Sequence, residues 1–249
     1  MSDNARKVLR VSGSDARHFL QGLVTNDVDK LDQGLVYSAI LTPQGKYRAD
    51  FFLVPDGDDI LIDAEAGQAT QLLPLLTMYK LRSDVQITPT DLTVTRGLGL
   101  PPEGAFADPR NAALGWRGYH GQPGEDVDWN ALRVAACVPE TGVELTPDTF
   151  ILEAGFERLN GVDFKKGCYV GQEVTARMKH KTELRKGLAR VAVDGAAPLG
   201  TEITAEGKSV GTLYTQANGA GIAYLRFDRA TGPMQAAGAT VTYPATDLA

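Results

Sequence analysis

Lys165-Lys166-Gly167-Cys168-Tyr169-Val170-Gly171-Gln172-Glu173-Val174-Thr175-Ala176-Arg177 is the most informative run of the chain. Cys168 stands between Gly167 and Gly171, whose missing side chains let the backbone turn sharply. Residues 172–179 then read as a helix. The thiol would sit near a helix start, where unpaired amides favour a thiolate. Lys165, Lys166 and Arg177 add positive charge close by, and Gln172 and Glu173 are suited to bind polar groups or cap the helix. A lone cysteine is more often a small buried hydrophobe. The glycine bracket and the cations set a functional thiol against that reading, and the residues alone leave the two balanced.

Working outward, residues 8–11 alternate like a short strand, and Ser12-Gly13-Ser14-Asp15 resembles a capping box. The helix behind it turns Phe19, Leu20 and Leu23 toward a core. Residues 35–41 and 47–54 are strand-like and flank Thr42-Pro43-Gln44-Gly45, which predicts a hairpin. Asp56-Gly57-Asp58-Asp59 makes the next turn. Residues 65–82 read as a helix with Leu72, Leu73, Leu76 and Tyr79 on one side, and Pro74 in its first turns or at a kink. Strands are expected around 84–88 and 92–95, and a loop over the Gly/Pro-rich 97–111. Asp126 or Asp128 caps a helix carrying Trp129, Leu132, Ala135 and Ala136, and a second helix covers 149–159. After Lys186 the texture becomes short apolar runs between glycine-rich turns, the pattern of a small antiparallel barrel or sandwich. Hairpin signals dominate and regular βαβ alternation is absent, so the fold class is α+β with mainly antiparallel sheets. The expected organisation is a body over residues 1–184 and a C-terminal antiparallel β-barrel over 185–249.

A chain of 249 residues can bury a real core without staples. A net charge of −6 argues against stable nucleic-acid or membrane partners but leaves room for a local basic patch. No apolar run approaches the ~20 residues needed to span a bilayer. The N-terminal MSDNARKVLRV has no apolar core behind its charges and does not read as a secretory signal. Cys137 and Cys168 are the only cysteines, which fits free thiols in a reducing compartment. Two cysteines cannot supply four cluster thiolates, so no tightly bound metal is expected in the isolated chain. His18, His120 and His180 lack zinc-type spacing. Residues 165–186 hold Lys165, Lys166, Arg177, Lys179, Lys181, Arg185 and Lys186 against Glu173 and Glu183. This basic island is a candidate contact for an anionic ligand, although a solvated helix face is the simpler reading.

KKGCYVGQEVTAR resembles the K-G-C-[FY]-x-G-Q-E signature of the YgfZ-type family, whose folds resemble the T-protein of glycine cleavage. Gly13-x-Asp15 with Gln21-Gly22-x-x-Thr25-x-Asp27-Val28, Gly45-Lys46, and Tyr79-x-Leu81-Arg82 resemble other family segments. With the C-terminal barrel, the likeness covers nearly the whole chain. It implies a T-protein-like folate-binding fold with a pocket for tetrahydrofolate or a related folate. It also implies an accessory role, without turnover, in assembling or maintaining 4Fe–4S enzymes, one of them a radical tRNA-modifying enzyme in bacteria. A mitochondrial branch acts late in 4Fe–4S assembly. Iron–sulfur client enzymes or assembly proteins are the implied partners. The implied location is the bacterial cytoplasm, or the mitochondrial matrix in a eukaryote. Cys168 matches the functional cysteine and Lys166 the family lysine. Gly167, Tyr169, Gly171, Gln172, Glu173 and Arg177 complete the loop motif.

The match departs at the folate contacts. T-protein has two aspartates where this chain has Ala49-Asp50. Trp129 falls at a folate-site tryptophan but reads equally as a packed helix residue. At the place of a pterin-binding glutamate, which sits in an E-A-G context, the alignment puts Ala135-Ala136-Cys137. Aminomethyl transfer is therefore not expected, and tetrahydrofolate is expected to bind weakly or not at all. The alternative function is a folate-dependent one-carbon enzyme, and a third is a pure binding module.

Overall fold

The computed structural model describes residues 6–180 and 184–244. Two compact units divide the chain: residues 1–127 with 156–176, and residues 128–155 with 177–249.

The first unit starts with β1 (Arg6–Ser12), α1 (Ala16–Gln21), β2 (Val36–Leu41), β3 (Tyr47–Asp56), β4 (Asp59–Glu65), α2 (Ala66–Tyr79) and β5 (Gln86–Pro89). The strands form one antiparallel sheet in the order β2-β3-β4-β1-β5. The expected hairpin turn is present: Gly45 N–H donates to Thr42 O at 2.8 Å, and Gly45 takes φ +74°. A strand sends alternate residues to opposite faces. One face carries Leu9, Val36, Phe51, Leu53 and Ile62, which pack with Phe19 and Leu20 of α1 and Leu72 and Leu76 of α2 in the main core. On the other face Tyr37, Phe52 and Asp63 stand opposite one another on adjacent strands. Short strands β6 (Thr95–Gly97), β7 (Ala105–Ala107) and β8 (Trp116–Gly118) form a second sheet in the order β6-β8-β7.

The second unit begins with α3 (Trp129–Ala135), whose N-cap Asp128 accepts from Ala131 N–H. The helix α4 (Gln172–His180) spans the point where the units divide. Then come β9 (Lys186–Asp194), β10 (Thr201–Ala205), β11 (Lys208–Ala217), β12 (Ala220–Arg226), β13 (Pro233–Ala236) and β14 (Ala239–Thr242). They close an antiparallel barrel in the order β10-β11-β12-β9-β14-β13. In β9 alternate residues Gly187, Ala189, Val191 and Val193 are buried, the period of two that its sequence carries.

Several expectations need correcting. The capping box is not made: Asp15 precedes α1 without a side-chain cap, because its carboxylate accepts from Asp84 N–H at 2.8 Å. In place of the helix expected over 149–159, residues 151–160 form successive turns, and Gly155 among them takes φ +77°. Pro74 lies in the body of α2. The strand expected at 92–95 is found at Thr95–Gly97, and β7 lies inside the stretch read as loop. The barrel strands begin at Lys186, beside the expected 184/185 boundary, and residues 128–155 group with the barrel. The reason is packing: Val134 and Cys137 share a small apolar cluster with Ala220 and Ile222 of β12.

Candidate functional site

Cys168 is exposed and Cys137 is buried. The residues around Cys168 explain how an exposed thiol is held. Lys166 and Tyr169 on either side of Gly167-Cys168 are each 7% exposed. Lys166 Nζ donates to the carbonyls of Gln21, Val24 and Asn26 at 2.8, 2.6 and 3.0 Å. Burial lowers its pKa to about 8, against the pull of Asp27, Asp163 and Asp29. Asp163 fixes the approach to the loop, accepting from the backbone N–H of Lys165 at 2.6 Å and of Lys166 at 3.1 Å. Its other oxygen pairs with Lys30 at 2.7 Å. Burial works to raise the Asp163 carboxyl, but Lys30 and these two amides outweigh it and hold the pKa below the usual range.

Beyond the thiol, Gln172 N–H donates to Tyr169 O at 3.2 Å and opens α4. Gly171 has φ +84°, and a Cβ there would lie 2.6 Å from Thr42 O and 2.9 Å from Leu41 Cβ. A Cβ on Gly45 would lie 2.7 Å from Val174 Cβ. The start of α4 is thus pressed against the β2–β3 hairpin, and only glycines allow that approach. Gly171→Ala should destabilise the protein by about 1–3 kcal/mol through backbone strain alone. A urea titration measures this, and an unchanged midpoint would contradict the close approach.

Gln172 is half-buried, whereas Glu173 and Arg177 are exposed in the first and last turns of α4. Those positions suit the helix dipole. The cations of the basic island differ in exposure. Lys166 is buried, Lys165, Arg177, Lys179 and Arg185 are exposed, and Lys186 pairs with Glu153 at 3.8 Å. Lys181 and Glu183 lie outside the described residues.

Asp50, the retained acid of the T-protein pair, is 7% exposed and already bonded. Its oxygens accept from Tyr47 Oη at 2.6 Å and Tyr37 Oη at 3.0 Å, and Gln68 donates to Tyr47 Oη at 2.7 Å. Around it lies a charged network that no motif announced. Asp63 pairs with Arg6 at 2.6 Å and Arg117 at 3.0 Å and accepts from Tyr119 Oη at 2.9 Å. Asp108 binds Arg110 at 2.8 Å and Arg117 at 3.3 Å. Burial works to raise the Asp108 carboxyl, but the two guanidinium groups hold it at about 2. Arg117 and Arg110 lie over the Phe52 ring at 3.9 and 4.7 Å, and Arg110 also lies over Tyr37 at 5.3 Å. Among the described residues no fully buried side-chain nitrogen or oxygen lacks a partner. Each Asp50 oxygen thus already accepts one hydroxyl from the chain itself.

Trp129 is half-buried at the first position of α3, in a different unit from Asp50. Ala135 and Ala136 close α3, while the chain's own Glu-Ala-Gly lies at 153–155. Glu153 is buried, accepts from Tyr224 Oη at 2.6 Å, and its backbone carbonyl accepts from Leu188 N–H at 2.7 Å. Among the described residues no three His, Cys, Asp or Glu side chains gather to hold a metal ion, and no helix is long and apolar enough to cross a membrane.

Comparison with known proteins adds three findings. Residues 185–247 match the family model of the CAF17 C-terminal beta-barrel domain. The human protein named iron-sulfur cluster assembly factor IBA57, mitochondrial, is 30% identical, over 93% of this chain and 78% of its own length. The homologue from Mycosarcoma maydis is 32% identical over 73% of this chain and 54% of its own length. In fold, the chain matches the crystal structure of glycine cleavage system aminomethyltransferase T from Bartonella henselae with TM-score 0.76. That match has 15% identity and covers 97% of this chain and 84% of the other, so the T-protein-like fold expected from the sequence is the fold observed.

Proposed function

Because the chain belongs to the IBA57 family of iron–sulfur cluster assembly factors, we propose that it is an accessory factor for assembling or maintaining 4Fe–4S enzymes, acting through the Cys168 loop. The observation that carries this reading is an exposed thiol held between two buried neighbours, Lys166 and Tyr169. A thiolate is a soft ligand suited to iron–sulfur clusters. One thiol cannot hold a cluster, so Cys168 would contribute a single ligand to cargo whose other ligands come from a partner. The partners are iron–sulfur clients or assembly proteins, in the mitochondrial matrix of a eukaryote or in a bacterial cytoplasm. Deleting the gene tests the role. Activities of several 4Fe–4S enzymes, a radical tRNA-modifying enzyme among them, should fall and return with a copy of this chain. Unchanged activities in the deletion strain would sink it.

Folate has no part in this reading. Calorimetry with tetrahydrofolate should show weak heats or none, since Asp50 is bonded to Tyr37 and Tyr47. Tight binding that Asp50→Asn abolishes would restore the one-carbon enzyme as the better reading. At present that alternative has only the shared fold behind it.

A further inference from the structure

Two segments 145 residues apart in sequence, the first helix and the thiol loop, meet at one ammonium group. Lys166 Nζ has three hydrogens and three carbonyl acceptors, those of Gln21, Val24 and Asn26. The acceptors lie at the end of α1 and just beyond it, where helix carbonyls have no partner of their own. The segment that supplies them is itself fixed. The Gln21 side chain donates to Asp27 at 2.8 Å and accepts from Val28 N–H at 2.9 Å. Thr25 Oγ1 donates to Gly161 O at 2.7 Å, and Asn26 Nδ2 donates to Asn160 O at 2.6 Å. On the far side of the thiol, Tyr169 is buried and Gly171 abuts the hairpin. Only Gly167 and Cys168 are exposed between the two anchors.

We propose that Lys166 is a positioning residue for Cys168: its ammonium locks the thiol-bearing turn onto the end of the first helix and takes no part in chemistry at sulfur. The proposal rests on Cys168 being the working group. It differs from the sequence reading, which took Lys166 as a positive charge close to the thiol. An uncharged side chain of similar length, such as methionine, can donate to none of the three carbonyls, so Lys166→Met should leave them without this donor and loosen the turn.

The test uses the full chain with Cys137→Ser and a trifluoromethyl reporter alkylated onto Cys168. The resulting thioether has no proton to lose, so its fluorine resonance reports the loop and not the sulfur. With Lys166 intact the resonance should be a single narrow line, and Lys166→Met should broaden or split it, whereas Lys166→Arg, which keeps the charge and the donors, should restore most of it. A Lys166→Met line indistinguishable from that of the intact chain would overturn the proposal. If Lys166→Met does not fold, the intact chain decides: several lines from Cys168 there would overturn the proposal. Failure of the thiol reading shows elsewhere: a Cys168→Ser copy would support cluster enzymes fully, whatever the reporter does.

Discussion

Asp63→Ala should destabilise the protein by about 3–5 kcal/mol, the usual consequence of breaking a buried ion pair from one side. Asp63 is fully buried on β4 and is the shared partner of Arg6, Arg117 and Tyr119. Removing its carboxylate leaves Arg117 facing only Asp108 and leaves the Tyr119 hydroxyl without its acceptor. Against a typical stability of about 5–15 kcal/mol this is a large fraction. The melting temperature should drop on the order of 10 °C, and a drop below about 2 °C would contradict the network as drawn. The same network sets an acid limb. Burial acts to raise the Asp63 carboxyl, but Arg6 and Arg117 outweigh it and lower its pKa, while Asp108 is held at about 2. Carboxylates with depressed folded pKa values contribute stability that is complete above the unfolded value of about 3.9 and is lost as pH falls through the folded one. Melting temperatures measured from about pH 5 down to about pH 2 should fall more steeply in the unmodified protein than in Asp63→Ala.

The sequence carried the parts of the fold whose signals are local. The hairpin over 36–56 was legible because Thr42-Pro43-Gln44-Gly45 is a turn by its own chemistry. The barrel was legible because β9 alternates residue by residue between buried and exposed. Residues 149–159 misled because Phe150, Ile151, Leu152 and Phe156 mimic a helical stripe, and Gly155 interrupts it with a positive φ. Cys168 was singled out by its motif, but the contacts of Lys166 could not be read from the sequence. Its acceptors lie far away in sequence and are backbone carbonyls, which no residue pattern advertises. The network of Arg6, Asp63, Asp108, Arg110 and Arg117 was missed for a similar reason. Each charge read alone looks like surface, and the only hint was an aspartate closing the apolar run Ile60-Leu61-Ile62.

Cys168→Ser should leave the fold intact and remove the cellular function. Cys168 is exposed, and its two neighbours in the loop are anchored through groups the substitution does not touch: the Lys166 ammonium and the buried Tyr169 ring. The melting temperature should therefore stay within about 2 °C, as for surface substitutions in general. A serine hydroxyl is a hard group that stays protonated at neutral pH, so it cannot replace a thiolate on iron. Complementation of 4Fe–4S enzyme activity in a deletion strain should fall to the level of an empty vector. Cys137→Ser is the matched control. Cys137 packs with Val134, Ala220 and Ile222, so a hydroxyl there should cost on the order of 1 kcal/mol of stability and leave complementation intact. The two thiols should also separate chemically, with Cys168 alkylated on the order of 10-fold faster or more, because reagent must reach the sulfur. Equal labelling of the two, together with full complementation by Cys168→Ser, would leave the family assignment standing and remove the thiol from the mechanism.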